Sequence, residues 1–109
     1  MPTGRPSENT MQFAVFATDR PGQIDLRKRT REQHRVYLRN PGRHPVRVLL
    51  AGPTMDADGR IMNGTLMVVE ATSVEAVSGF VADDPYAKAG LFERIEIRPW
   101  SCGLGAIQA

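Results

Sequence analysis

The chain has 109 residues, with 14 Lys plus Arg against 12 Asp plus Glu, and its formal net charge is +2. This length fits one domain with a single modest core, and the near balance of charge gives the whole chain no strong attraction to nucleic acid or membrane. The single Cys102 excludes an intramolecular disulfide, and Cys102, His34 and His44 lack the spacing of metal ligands. We therefore expect no metal and no cofactor. No leader and no membrane-spanning apolar run is recognised, so we expect a cytoplasmic protein.

The first half of the chain predicts a tail, a strand and a helix. Residues 1–10 are polar and without periodicity, and they are predicted to be a flexible N-terminal tail. Met11–Thr18 is rich in apolar and aromatic residues and is followed by the turn cluster Asp19–Gly22, which is typical of a strand. The residues Ile24–Asn40 then show helical spacing.

The predicted helix has one apolar face and one charged face. The inward face is formed by residues at three-and-four spacing, namely Leu26, Thr30, His34, Tyr37 and Leu38. The charged residues are assigned mostly to the solvated back: Arg27, Lys28, Arg31, Glu32, Arg35 and Arg39. His34 is therefore expected to point inward. Eight of the 14 basic residues lie in one segment, residues 27–47.

Three further strands are predicted in the second half. Val46–Ala51 and Gly64–Glu70 flank turn residues and form a hairpin, and Arg94–Trp100 alternates apolar and charged side chains. Residues 102–109 are small and contain glycine, and they are predicted to be a C-terminal tail.

A second helix is predicted to end at the acidic pair Asp83 and Asp84. Thr72 and Glu75 have the spacing of a capping box, so this helix starts one residue after Thr72. Pro85 disfavours the α region for the residue before it, which places both acids at the helix C-terminus, the end that favours cations. Two interpretations of Asp84 remain open at this point. It is either a turn former or a carboxylate held for a partner.

The order strand, helix, strand, strand, helix, strand predicts an α+β ferredoxin-like βαββαβ fold with an antiparallel four-stranded sheet. The first three strands are apolar on both faces, but two helices cover only one face. We therefore expect a homodimer that packs the other face against a second subunit. That open face is predicted to carry Ala14, Phe16, Leu49, Ala51, Leu66 and Val68.

His34 is the first candidate for chemistry. A lone histidine on a buried helical face is more often a hydrogen-bonded core residue than a catalyst. In a split βαβ arrangement, however, the two helices lie side by side, so the end of the second approaches the middle of the first. Asp84 would then hold one imidazole nitrogen of His34 and leave the other free to move a proton.

Five short motifs stand in order between Met11 and Trp100. They are Arg31–Glu32–Gln33–His34 with Leu38, then Ala51–Gly52–Pro53, a Gly64-led strand ending in Glu70, Asp84–Pro85–Tyr86 with Ala89–Gly90–Leu91, and Ile97–Arg98–Pro99–Trp100. Together they resemble the YciI-like (YCII-related) family, with residues 11–101 as its domain. The resemblance implies a dimeric α+β barrel, a bacterial cytoplasmic origin and an active-site pair, here His34 and Asp84. It also implies kinship with barrels that act on small, often aromatic, ring compounds, including isomerases and dehalogenating lyases.

Three function classes follow. The leading one is a lyase or isomerase in which His34 and Asp84 are catalytic and Arg31 and Tyr86 bind a small-molecule substrate. The alternative is a non-enzymatic ligand-binding or accessory domain using the same pocket. Nucleic-acid binding is not expected, because an RNA-reading sheet needs exposed aromatic side chains. Asp83 is interpreted as a solvated neighbour and Cys102 as a packed small hydrophobe.

Overall fold

A computed structural model describes residues 9–107. Most of the predicted N-terminal tail, residues 1–10, and the last two residues of the predicted C-terminal tail lie outside the described residues. The elements are β1 (Met11–Asp19), α1 (Ile24–Arg39), β2 (Arg47–Met55), β3 (Met62–Ala71), α2 (Val74–Ala82), α3 (Pro85–Lys88) and β4 (Phe92–Trp100). Within the described part of the chain, no helix is long and apolar enough to cross a membrane.

The four strands form one antiparallel sheet in the order β2-β3-β1-β4. This confirms the predicted α+β ferredoxin-like βαββαβ fold, and each strand is longer than its apolar pattern indicated. The short helix α3 was not predicted, because its four residues are too few to show a helical period. The two long helices begin or end within one or two residues of their predicted bounds.

The core lies between the helices and one face of the sheet. Alternate residues of β1 and β3 supply its floor: Phe13, Val15, Met67, Val69 and Ala71. Val77, Phe80 and Val81 of α2 pack onto that floor and are almost fully buried. Burying side chains of this size contributes about 1.5–3 kcal/mol each, so this cluster is the main support of the fold. It also fixes α2, and hence the acidic pair at the end of α2.

The opposite face of the sheet is apolar, and the described core between helices and sheet does not include it. Cross-strand pairs place Ala14 beside Val68 and Phe16 beside Leu66 on this face. Phe16 is 43% exposed there. The predicted composition of the face is therefore correct for these four residues.

The prediction for β2 on the open face is wrong. The register shifts between Val48 and Leu50, so that Leu50 lies opposite Val68 and Ala51 lies opposite the core residue Met67. An irregularity of one residue moves every later side chain to the other face. Ala51 consequently lies on the helix side of the sheet, Leu50 takes its place on the open face, and Leu49 has no partner in the register.

The N-cap of α2 is also one residue later than predicted. The Ser73 side-chain oxygen accepts a hydrogen bond of 3.1 Å from the backbone N–H of Ala76. Ser73 thus satisfies an amide that the helix cannot pair internally, and the predicted capping box of Thr72 and Glu75 is not the cap.

Candidate functional site

The two consecutive aspartates belong to different helix ends. Asp83 is the C-cap of α2, whereas Asp84 is the N-cap of α3, with Pro85 in the first turn of that helix. Asp84 Oδ1 accepts a hydrogen bond of 2.9 Å from the backbone N–H of Tyr86. Asp84 thus lies at the C-terminus of α2, as predicted, but it is also the N-cap of α3, a position that favours a carboxylate. Pro85 starts a new helix as well as ending the old one, because its fixed φ suits the first helical position.

Asp84 and His34 lie in direct contact beneath α1. His34 Nδ1 is 2.8 Å from Asp84 Oδ1 and 2.9 Å from Oδ2. Asp84 is fully buried and His34 is 6% exposed. Because an ionised carboxylate only accepts hydrogen bonds, Nδ1 carries the hydrogen and Nε2 carries the lone pair of the neutral ring. Within residues 9–107, Nε2 has no hydrogen-bond partner, so it is the nitrogen available for proton transfer.

Tyr86 forms the aromatic wall of the site. Its ring stacks on the His34 ring with centroids 4.0 Å apart and planes 20° apart. The Arg27 guanidinium carbon also lies over the Tyr86 ring, 4.5 Å from its centroid. Burial raises the pKa of the Tyr86 phenol above its ordinary value, so the hydroxyl is neutral at neutral pH. The structure thus brings three of the four predicted site residues, His34, Asp84 and Tyr86, into contact with one another.

Arg27 was assigned to the solvated back of α1, and that assignment is wrong. It is 2% exposed, and it donates to Asp19 through Nε at 2.7 Å and Nη2 at 2.9 Å. Nη2 also donates to Thr65 Oγ1 at 2.7 Å. The paired carboxylate makes this burial tolerable. The signal in the sequence was spacing, since Arg27 and His34 are seven residues apart and therefore share a helix face.

Arg31, the fourth predicted residue, lies at the edge of the same pocket. Its Nη2 is 3.1 Å from Met62 Sδ. The pocket has a volume of about 120 Å³, and its charged and aromatic lining comes from Arg27, Arg31, His34, Arg35 and Tyr86. A cavity of about 150 Å³ holds one benzene molecule, so this pocket has the scale of a single six-membered ring.

A larger groove lies on the other side of α1 and surrounds a second histidine. His44 Nε2 is 2.8 Å from Asp83 Oδ2, and this hydrogen bond lowers the pKa of the Asp83 carboxyl. Asp83 is therefore not a merely solvated neighbour. The groove, of about 710 Å³, is open to solvent, and the Arg43 side chain on its rim is 88% exposed. Its size reflects this openness, so we place the candidate site at the smaller and less open pocket.

The remaining candidates are peripheral. Cys102 is exposed, with its Sγ 3.4 Å from the carbonyl oxygen of Leu104, so the prediction that it packs as a small hydrophobe is wrong. Among residues 9–107 there is no cluster of three or more His, Cys, Asp or Glu side chains arranged to hold a metal ion.

The fold and the buried His–Asp pair define a ferredoxin-like α+β protein whose structural neighbours are dimeric α+β barrel proteins. The model of the YCII-related domain matches residues 11–101, and the chain therefore belongs to the YCII-related domain family. This confirms the resemblance stated from the five motifs.

The chain is also similar to individual proteins, one of them of known structure. The chain is similar to 5-chloro-2-hydroxyhydroquinone dehydrochlorinase (TftG) of Burkholderia phenoliruptrix AC1100, solved in complex with 2,5-dihydroxybenzoquinone. Identity is 34%, the TM-score is 0.73, and the match covers 85% of this chain and 96% of that one. Protein YciI of Escherichia coli is 26% identical over 98 residues, covering 83% and 96% of the two chains. An uncharacterized protein of Haemophilus influenzae is 27% identical over 95 residues, with the same coverage.

Proposed function

We propose that this protein is a small lyase or isomerase that acts on a hydroxylated six-membered ring, with His34 as general base and acid. The observation that carries the proposal is the contact of His34 Nδ1 with both oxygens of Asp84. That contact fixes the tautomer and the ring orientation, and it leaves Nε2 as the base. A positioned histidine of this kind contributes about 10²–10⁴-fold to a proton-transfer step.

The shape of the pocket supports a ring-shaped substrate. Its volume of about 120 Å³ suits one ring, and Tyr86 supplies an aromatic wall beside His34. The dehydrochlorinase from Burkholderia, 34% identical to this chain, was solved with a dihydroxylated six-membered ring compound. The proposed substrate class follows from this fit and from that relative.

The roles of the individual residues follow from their chemistry. His34 Nε2 takes a proton from a hydroxyl or ring carbon of the substrate, and in an elimination the leaving group departs with its bonding electron pair. Asp84 stabilises the imidazolium that forms and holds its orientation. Arg31 orients a substrate oxygen through its planar guanidinium, and Tyr86 holds the ring. The imidazolium then returns the proton to another substrate atom in an isomerisation, or releases it to water in an elimination.

The test is chloride release from 5-chloro-2-hydroxyhydroquinone, followed together with formation of the quinone. His34→Ala and Asp84→Asn are each expected to lower turnover by about a hundredfold or more. The chain offers matched controls, because His44→Ala and Asp83→Asn make the same changes in a second His–Asp pair whose carboxylate is the adjacent residue. These controls are expected to stay within a few-fold of the unmodified protein.

Two results would contradict the proposal. One is full turnover in both His34→Ala and Asp84→Asn. The other is binding of 2,5-dihydroxybenzoquinone without conversion of any compound in a panel of chlorinated and unchlorinated hydroxyhydroquinones, which would favour the non-enzymatic ligand-binding alternative.

The proposal includes a homodimer formed through the uncovered sheet face. That face exposes large apolar side chains, with Phe16 at 43% and Leu50 at 45% exposure, and a contiguous apolar patch of this kind marks an interface. Analytical ultracentrifugation is expected to give twice the mass of the chain, and Phe16→Glu to give the monomer mass. A monomeric unmodified protein at micromolar concentration would contradict this part.

A further inference from the structure

A groove lined by arginines runs between α1 and β2, beside the pocket of His34. It has a volume of about 450 Å³, and all its charged lining residues are arginines: Arg35 and Arg39 from α1 and Arg47 from β2. The rest of its lining is apolar and consists of Leu38, Pro41, Val46, Val48 and Ala51. We call this groove the basic vestibule. It shares Arg35, Leu38 and Ala51 with the His34 pocket, so the two adjoin.

The arginines of α1 form an unneutralised row. Arg31, Arg35 and Arg39 follow one another at intervals of four residues, a spacing at which like charges repel and weaken a helix. Within residues 9–107, none of the three forms an ion pair. Repulsion within this row opposes helix stability, and no carboxylate among the described residues neutralises it.

Arg47 is neutralised on the other face of the sheet. It lies opposite Glu70 in the strand register, Glu70 shares the open face with Val68, and Arg47 Nη2 pairs with Glu70 Oε1 at 3.0 Å. Among the described residues, the lining cations of the vestibule without an ion pair are therefore Arg35 and Arg39. A guanidinium fork matches the planar oxygens of a carboxylate or the oxygens of a phosphate, and it binds either in bidentate fashion.

We propose that the basic vestibule binds an anionic group, a carboxylate or a phosphate, carried by the substrate whose ring occupies the His34 pocket. The apolar floor of the vestibule receives the part of the substrate that links the ring to the anion. Assigning the anion to the substrate rests on the proposed function, whereas anion binding by Arg35 and Arg39 does not. The inference explains the row of arginines that face β2 within the basic segment.

The first experiment tests the anion site alone. Inorganic phosphate is titrated into ¹⁵N-labelled protein at pH 7 and constant ionic strength, and amide shifts are followed by NMR. We expect saturable shifts at α1 and β2, with binding weakened about tenfold or more in Arg39→Gln, because a charge-assisted hydrogen bond is lost. Arg29→Gln is the matched control. Arg29 is an exposed arginine of α1 outside the vestibule, and its replacement is expected to change binding by less than twofold.

The second experiment tests the link to the substrate. Hydroquinone is compared with 2,5-dihydroxyphenylacetate, which carries a carboxylate on a short arm of the same ring. The carboxylated ring is expected to bind at least tenfold more tightly, with the preference lost in Arg39→Gln and kept in Arg29→Gln. The affinity of His34→Ala for inorganic phosphate is expected to stay within twofold of the unmodified protein.

The outcomes separate the two proposals. Absence of saturable phosphate binding, or equal weakening by Arg29→Gln and Arg39→Gln, overturns the vestibule. Equal weakening of single-stranded RNA binding by both variants, without phosphate saturation, also overturns it and indicates a diffuse basic surface. Phosphate binding without preference for the carboxylated ring overturns the assignment to the substrate. If phosphate binds but neither ring compound does, the proposed function fails while the anion site stands.

Discussion

The chain contains two His–Asp pairs whose aspartates are consecutive in sequence but whose surroundings differ. The inner pair is His34 with Asp84 and the outer pair is His44 with Asp83, each with a nitrogen to oxygen distance of 2.8 Å. The side chains of the inner pair are 8% and 0% exposed, whereas those of the outer pair are 15% and 36% exposed. A tyrosine accompanies each pair, Tyr86 the inner and Tyr37 the outer.

The difference comes from the backbone between the two aspartates. Asp83 ends α2 and faces the open groove, while Asp84 begins α3 and faces the interior. Asp84 uses both oxygens on His34 and one of them also on the Tyr86 amide, whereas Asp83 holds His44 through one oxygen. Water screens the charges of the exposed pair, so the attraction between its side chains is weaker there than in the buried pair, where Asp84 holds the His34 ring through both carboxylate oxygens. A His–Asp contact is therefore not sufficient to identify a site.

The largest expected effect is on stability, and it separates the two aspartates. Asp84→Ala removes the N-cap of α3 and leaves His34 Nδ1 and the Tyr86 amide without an acceptor. We expect a loss of about 3 kcal/mol in the free energy of unfolding, measured by urea denaturation. Asp83→Ala is expected to cost clearly less, because solvent replaces its contact with His44. Equal losses in the two variants would show that burial does not distinguish the pairs.

The second effect concerns the tyrosines at high pH. Burial, with the negative charge of Asp83 second, raises the pKa of Tyr37 to about 12, and burial raises the pKa of Tyr86. Because both values are raised in the folded state, the stabilisation is complete below about pH 10, the value in unfolded chains, and is lost as the pH rises through the folded-state values, which for Tyr37 is about 12. Absorbance at 295 nm should therefore show less phenolate at pH 10 in the folded protein than in urea, where about half of each tyrosine is ionised.

The same titration sharpens the comparison between the pairs. Asp83→Asn removes a negative charge that acts on Tyr37, so it should lower the pKa of Tyr37 and leave that of Tyr86 unchanged. Half ionisation of both tyrosines at pH 10 in the folded protein would contradict the burial of either ring. A shift of Tyr86 in Asp83→Asn would show that the two pairs are coupled.

The fold was predictable from the sequence because each strand and each long helix carries its own signal. Alternation, turn residues and helical spacing gave the order βαββαβ, and one domain of this size offers few ways to arrange it. The register of β2 was not predictable, since Val48, Leu49, Leu50 and Ala51 are apolar at every position and do not reveal a shift of one residue. Because every position of this run is apolar, it lacks the alternation of polar and apolar residues that would show which side chains share a face of the sheet.

The contact between His34 and Asp84 was predictable from the topology, because the end of α2 approaches the middle of α1. The burial of Arg27 was not, since its acceptors are the distant residues Asp19 and Thr65. Arginine is normally assigned to solvent unless a partner is known. The outer pair was missed for a similar reason, since His44 lies in a loop with no periodicity.

The smallest expected effect concerns the outer pair in acid. The hydrogen bond from His44 is the main cause that lowers the pKa of Asp83 below its ordinary value of 3.8. A lowered carboxyl pKa stabilises the folded protein above the value of the unfolded chain, about 3.9, and that stabilisation is lost as the pH falls through the folded value. The difference in unfolding free energy between the unmodified protein and Asp83→Asn should therefore be constant above about pH 5 and shrink below pH 4.

The control repeats the Asp83→Asn substitution in a His44→Ala background. Most of the pH dependence of the free-energy difference should then be absent, because the imidazole that donates the hydrogen bond to Asp83 has been removed. A free-energy difference that does not change with pH, or a pH dependence that persists without His44, would contradict the prediction. It would show that the hydrogen bond from His44 does not lower the pKa of Asp83, although the two atoms lie 2.8 Å apart.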